Sequence, residues 1–207
     1  IPVLANILIE SIGENNVRMT GTDLDVTIRC EAAADIKEGG AICVSARKLF
    51  DIVRLLPDAP VRFRKDDNDW VKVECGRYSG RLAGVPREQF PEVPSFKSAP
   101  LRLPSELFRN FIKHTAFAIT QEQSRFTLSG AKFMVGKDGA RMVTTDGHRL
   151  AFIEKNDLGE SLPETDIDVL VPRKTLVEVV KLAENHDGDV QFGEDSNHIY
   201  FEVGSRL

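Results

Sequence analysis

The residues best suited to chemistry lie at positions 144–150, in the order Thr-Thr-Asp-Gly-His-Arg-Leu. Asp146-Gly147 sits between two apolar-leaning runs, Met142-Val143 and residues 150–153, which is a hairpin signal. Gly147 can take the positive φ of a tight turn, and Asp146 can bond its own backbone. The turn then releases an imidazole, a guanidinium and an isobutyl group together. Three readings stand open. The stretch is a surface hairpin with a capping Asp, or a recognition site where the turn holds a shallow apolar pocket rimmed by donors, or a pair in which Asp146 orients His148 for catalysis. The third needs an activated nucleophile, and none is visible; neighbouring side chains on a turn rarely have triad geometry.

Other polar clusters carry less. Asp23 with Asp25, and Asp166 with Asp168, are i, i+2 pairs of the kind common on solvated strand edges, whereas two-metal chemistry needs several converging carboxylates. Asp66-Asp67-Asn68-Asp69 lacks the Gly and distal Glu of an EF-hand loop. Gly39-Gly40 and Gly136-Lys137-Asp138-Gly139 read as turns, since neither has the phosphate-loop pattern. The four His and three Cys show no zinc spacing. The chain therefore reads as non-enzymatic, with no cofactor.

These groups must be held by a folded chain of 207 residues, enough for one or two domains. Its 42% apolar and 29% charged composition is that of a globular protein, and no run nears the ~20 apolar residues of a membrane span. Cys30, Cys43 and Cys75, isolated and odd in number, suggest reduced thiols and a cytoplasmic setting. A net charge of −5 argues against a surface that coats nucleic acid all round, but leaves room for a local basic face. No signal peptide is visible, and a start at Ile1 suggests a piece of a longer chain.

In order, strands are expected at residues 3–9, 17–20, 24–28 and 41–44. Ser45 caps a helix whose apolar stripe is Leu49, Ile52, Val53 and Leu56, ended by Pro57. Strands follow at 61–63, 70–75 and 79–83. Residues 86–104 hold five of the ten prolines, which disfavours helix and central strand and places a domain boundary near residue 100. Pro104 then opens a helix with Leu107, Phe108, Phe111, Ile112 and Ile119 on one face and Arg109, Asn110, Lys113 and His114 on the other. Strands at 126–128 and 131–135 precede the central hairpin. After a loop at 159–166 come a strand at 168–171, a helix opened by Pro172 with Leu176, Val179, Val180 and Ala183 on one face, and strands at 190–192 and 199–203.

That order contains a repeat. Arg18-Met19 with Thr22-Asp23 returns as Arg141-Met142 with Thr145-Asp146; the Val44-Ser45-Ala46-Arg47-Lys48 run returns as Val171-Pro172-Arg173-Lys174; both helix stripes match. The repeat is too long for a solenoid and marks a duplicated α+β domain, residues 1–100 and 101–207. The copies are incomplete in complementary ways, so both ends are expected to fall inside a domain.

Thr145-Asp146-Gly147-His148-Arg149-Leu150-Ala151 resembles the signature of the bacterial β sliding clamp family, the processivity subunits of DNA polymerase III. Residues 44–52, Val171-Pro172-Arg173-Lys174 and Gly21-Thr22-Asp23-Leu24 are similar to that family as well, so the likeness runs through the chain in order. The resemblance implies a DNA-clamp fold of three similar domains, the third absent here, each with two inner helices and outer antiparallel sheets, and six closing a head-to-tail homodimeric ring. It implies double-stranded DNA, replicative and repair DNA polymerases and the clamp loader as partners, and no membrane. It carries a peptide-binding cleft to Leu128, Thr145, Gly147, His148, Arg149 and Leu150. The polar helix faces offer Arg47, Lys48, Arg54, Arg109, Lys113, His114, Arg173, Lys174 and Lys181 toward DNA, diluted by Asp51, Glu106, Glu178 and Glu184. The family's variable DNA-touching loop reads Gln121-Glu122-Gln123 here, and Glu122 is a poor phosphate contact. Beside the clamp stand two alternatives: a peptide-binding adaptor with no DNA role, and a hydrolase using Asp146 and His148.

Overall fold

The computed structural model describes residues 2–94, 101–120, 122, 128–158, 166–184 and 186–207. The chain divides into two units, Ile1–Pro94 and Ser95–Leu207.

In the first unit a short 3-10 turn, Pro2–Ala5, leads into β1 (Asn6–Ile12), β2 (Asn16–Thr22), β3 (Thr27–Ala33) and β4 (Ala41–Ser45). Helix α1 (Ala46–Val53) follows, then β5 (Arg62–Lys65), β6 (Trp70–Cys75) and β7 (Tyr78–Val85). All seven strands form one sheet in the order β3-β2-β1-β4-β7-β6-β5, every pair antiparallel. The junction between β4 and β7 depends on a close approach: a Cβ on Gly84 would lie 2.5 Å from the Asp69 carbonyl oxygen and 2.9 Å from that of Cys43. Ile9, Ile42, Val44, Leu49, Val71, Val73 and Leu82 form its main core.

In the second unit β8 (Leu101–Pro104) enters α2 (Ser105–Thr115), which continues as a 3-10 turn at Ala116–Ala118. Then come β9 (Gly130–Gly136), β10 (Gly139–Thr145), β11 (Leu150–Lys155) and β12 (Ile167–Pro172), followed by α3 (Arg173–Ala183), β13 (Asp189–Glu194) and β14 (Ile199–Val203). Two sheets result, β11-β10-β9-β12 and β14-β13-β8. Phe108, Phe133, Phe192 and Phe201 meet with ring centroids 5.0–5.7 Å apart, tying α2 to both sheets. Edge-to-face aromatic contacts of this kind add to the burial of large apolar side chains.

The repeat read from the sequence appears as topology. The order β3-β2-β1-β4 matches β11-β10-β9-β12, and each set is followed by a helix and a hairpin. β8 and α2 have no equivalent among the described residues of the first unit, and β7 has none in the second.

Several expectations need correction. Residues 2–5 form a 3-10 turn, and the strand placed at 3–9 instead runs from Asn6 to Ile12. Leu24 and Asp25 belong to a turn, because Leu24 adopts φ 80°, and β3 starts only at Thr27. In α1 the stripe position Val53 is exposed, since the helix ends there and Leu49 alone is fully buried. The strand at 126–127, the loop at 159–165, and Gln121 and Gln123 fall outside the described residues, as do residues 95–100, where the boundary was placed.

Candidate functional site

The turn between β10 and β11 is built by two short side chains. Asp146 Oδ1 accepts the backbone N–H groups of His148 and Arg149, each at 3.0 Å, while its Oδ2 accepts Arg149 Nε at 3.0 Å. The Thr145 hydroxyl donates to the Arg149 carbonyl at 2.8 Å and accepts the Gly147 N–H at 3.0 Å. Gly147 takes φ 92°, a conformation costly for any side chain with a Cβ. The backbone donors of His148 and Arg149, then the guanidinium, hold the Asp146 carboxyl at about 2.

The first unit repeats the Thr bonds and the two backbone bonds to the Asp Oδ1. Asp23 Oδ1 accepts the N–H groups of Asp25 and Val26 at 3.1 and 3.0 Å. Thr22 Oγ1 accepts the Leu24 N–H at 3.1 Å and donates to the Val26 carbonyl at 3.4 Å. The difference lies in the cargo: Leu24, Asp25 and Val26 stand where the second unit has Gly147, His148 and Arg149.

Arg149 ties the turn to the segment after α2. Its Nη2 donates to the Phe117 carbonyl at 2.7 Å, and its guanidinium carbon lies 5.6 Å from the Phe117 ring centroid. Thr144 Oγ1 donates to the Thr115 carbonyl at 2.6 Å, and the Thr120 N–H donates to the Leu128 carbonyl at 3.3 Å. Residues 115–120 thus bridge Leu128 to the turn that carries Thr145, Gly147, His148, Arg149 and Leu150. Leu128 is half-buried, His148 is exposed, and Leu150 keeps 66% of its surface open. Phe117, 58% exposed, belongs to the same surface and was not expected. Its signal was available: in the run Ala116-Phe117-Ala118-Ile119 it is the large apolar residue off the buried stripe.

The Asp146–His148 pairing required for hydrolysis has a different form. Asp146 binds the backbone N–H of His148, and its second oxygen is turned to Arg149. This is turn chemistry, in which the imidazole is carried rather than oriented. Among the described residues no cluster of three or more His, Cys, Asp or Glu is placed to hold a metal, and no helix is long and apolar enough to cross a membrane.

The basic helix residues sit in different settings. Arg109 Nη1 donates to the Glu184 carbonyl at 3.2 Å, at the end of α3. Arg54 pairs with Asp51 at 3.3 Å and lies over Phe50, and Lys181 pairs with Glu178 at 2.8 Å. His114 Nδ1 is 2.9 Å from the Asn110 carbonyl oxygen in its own helix. Lys113 is exposed on α2. Arg47 and Lys48 open α1, and Arg173 and Lys174 open α3, all four exposed. A cation at a helix N-terminus opposes the helix dipole, and neither helix has an acidic residue in its first turn. The helix dipole therefore does not account for these pairs.

An α+β unit present twice, with a helix entered by a basic pair and a matching Thr-Asp turn in each copy, defines a duplicated protein of the clamp-fold class. The model for the DNA polymerase III beta subunit N-terminal domain matches residues 1–94, and that for its central domain residues 102–207. The chain belongs to the DNA polymerase III beta subunit family. The beta sliding clamp of Chlamydia muridarum is 31% identical over 208 residues, covering 100% of this chain and 56% of its own length. That of Escherichia coli K12 is 32% identical over 206 residues, covering 99% and 55%. The DNA polymerase III subunit beta of Pseudomonas aeruginosa superposes with a TM-score of 0.88 at 32% identity, over 100% of this chain and 56% of that one. The chain spans about half the length of the curated relatives it matches.

Proposed function

We propose that this chain is part of a non-catalytic processivity factor of a replicative DNA polymerase, a cytoplasmic homodimeric ring that encircles duplex DNA without reading its sequence. In this reading the ring tethers replicative and repair polymerases, and meets its clamp loader, through a peptide-binding cleft at the Asp146 turn. A third domain completes each protomer.

The observation that carries this reading is a pair of complementary open strand edges in a family of named sliding clamps. Among the described residues β3 and β11 are edge strands. β7 meets β4 only at Gly84 and Val85, while its pairing with β6 covers residues 78–83. Among the described residues that earlier part of β7 is paired on one side only. An edge of the β3 or β11 type on one unit can pair with a β7-type edge on another. Such a head-to-tail contact is heterologous, and it closes into a ring when the rotation permits. Open edges are ordinarily a liability, which supports their use as interfaces.

At the cleft, Leu150 and Leu128 supply apolar floor, and His148 and Arg149 the rim. Burying one large apolar side chain is worth ~1.5–3 kcal/mol, roughly ten- to hundredfold in affinity. Leu150→Ala is expected to weaken binding of a labelled polymerase-tail peptide by that factor in the full-length protein. Its exposure means that stability stays near wild type. His148→Ala costs less, since a rim group is hydrated in both states. Wild-type affinity in Leu150→Ala sinks the cleft assignment.

A further inference from the structure

The outward face of β5-β6-β7 in the first unit has a charge arrangement that the clamp reading does not use. On β6, Val71, Val73 and Cys75 are buried, so Trp70, Lys72 and Glu74 point outward. Arg64 on β5 lies opposite Lys72, and Lys72 lies opposite Arg81 on β7. Three cations therefore form one row across three strands, spanning ~10 Å at the usual strand spacing. Arg62 extends the patch, opposite Glu74. Like charges directly opposite one another in a sheet are destabilising, and neighbouring carboxylates offset this row.

Trp70 borders the row, two residues from Lys72 on the same face, with 41% of its surface exposed. The Arg81 guanidinium carbon lies 5.4 Å from its ring centroid. The charges are held apart by surface carboxylates: Asp66 takes Arg81 at 2.8 Å and Arg64 at 3.4 Å, and Glu74 takes Lys72 at 2.5 Å. Ion pairs near the surface contribute little and are screened by salt.

We propose that this sheet face binds single-stranded nucleic acid, with phosphates on Arg64, Lys72 and Arg81 and a base stacked on Trp70. A row of cations beside an exposed indole suits a single strand. Its backbone needs spaced positive charge, and its unpaired bases have free faces to stack. A duplex keeps those faces covered, and an acidic peptide has the charge without the planar rings. This inference shares β7 with the clamp reading, which uses the strand's open backbone edge, but it draws on outward side chains that reading leaves aside and on neither the helices nor the Asp146 turn.

Trp70 is the single tryptophan of the chain, so it reports its own site. The full chain is titrated at low salt with labelled oligothymidylate, following both anisotropy and tryptophan emission. Binding is expected to quench Trp70. Trp70→Ala weakens binding by roughly 5- to 100-fold, and Trp70→Phe, which keeps a stacking ring, loses much less. Arg64→Gln and Arg81→Gln each lower the slope of log affinity against log salt by about 0.7, the share of one phosphate contact. Asp66→Asn tightens binding by removing the competing carboxylate. Far-UV circular dichroism establishes that each variant is folded. The proposal is overturned by absence of binding, by binding that leaves Trp70 emission unchanged, or by wild-type affinity in folded Arg64→Gln and Arg81→Gln. Equal binding and quenching by the matching duplex or by polyglutamate also overturns it.

Discussion

At the scale of the residue, the Asp146 carboxylate is the strongest lever on the turn. Its carboxyl is lowered from 3.8 to about 2, first by the N–H groups of His148 and Arg149 and then by the guanidinium. A depressed carboxyl contributes stability that is present above its unfolded value and lost as pH falls through its folded value. The turn should therefore loosen between about pH 4 and pH 2, seen as lower amide-exchange protection factors at His148 and Arg149 in that window. Asp146→Asn removes the titration, and an unchanged acid response in that variant would sink the assignment. Leu24 supplies a second test. It holds φ 80° where the second unit has Gly147 at 92°. A left-handed backbone costs a side-chain-bearing residue roughly 1–2 kcal/mol. Leu24→Gly should recover part of that, less what glycine adds to the freedom of the unfolded chain. Gly147→Val should lose stability by ~1–3 kcal/mol, since a β-branched residue resists this region strongly. Chemical denaturation of the two variants measures both signs. The Thr145-Asp146-Gly147 turn was legible because its three side chains make the turn themselves. The Arg149–Phe117 contact was not, because it joins residues thirty-two apart and depends on where α2 ends.

At the scale of the element, the helices and most strands were readable from period and punctuation. Of the expected stripe Leu176, Val179, Val180 and Ala183, all but the half-buried Val180 are buried, and Ser45 caps α1, its oxygen accepting the Lys48 N–H. Ser45→Ala should cost about 1 kcal/mol, measured as a shift in denaturation midpoint with unchanged slope. β3 was misplaced because Leu24 is apolar and β-like in pattern, yet its backbone is left-handed. The bonds that the Leu24 and Val26 N–H groups donate to Thr22 and Asp23 show that a turn, rather than a strand, occupies residues 23–26. The aromatic quartet of the second unit was likewise hidden, since its four members come from α2, β9, β13 and β14. Phe133 is fully buried at the centre of that cluster. Phe133→Ala should destabilise the protein by ~3–5 kcal/mol, the loss of transfer energy plus the cavity left behind. A loss below about 1 kcal/mol would mean that the site collapses around the smaller side chain.

At the scale of the whole molecule, two attractions to DNA must be separated: charge and topology. The basic pairs that open α1 and α3 oppose their helix dipoles, and the chain as a whole carries a net charge of −5. A chain so charged has no uniform attraction for DNA, so under the proposed function lasting retention would come from enclosure. Phosphate contacts alone release counterions and weaken steeply with salt. On linear duplex this chain should therefore bind weakly and lose that binding as salt rises past the range where the Debye length falls to ~8–10 Å. The full-length protein, loaded on nicked circular DNA, should persist at the same salt and leave when the circle is cut. Replacing Arg47, Lys48, Arg173 and Lys174 by Gln should reduce the weak linear binding and leave retention on the circle nearly intact, because a closed ring needs no strong contact. Gel filtration of the loaded complex before and after linearisation measures both. Loss of circle retention in the Gln variant, with the ring still dimeric, would place the grip in charge rather than in enclosure.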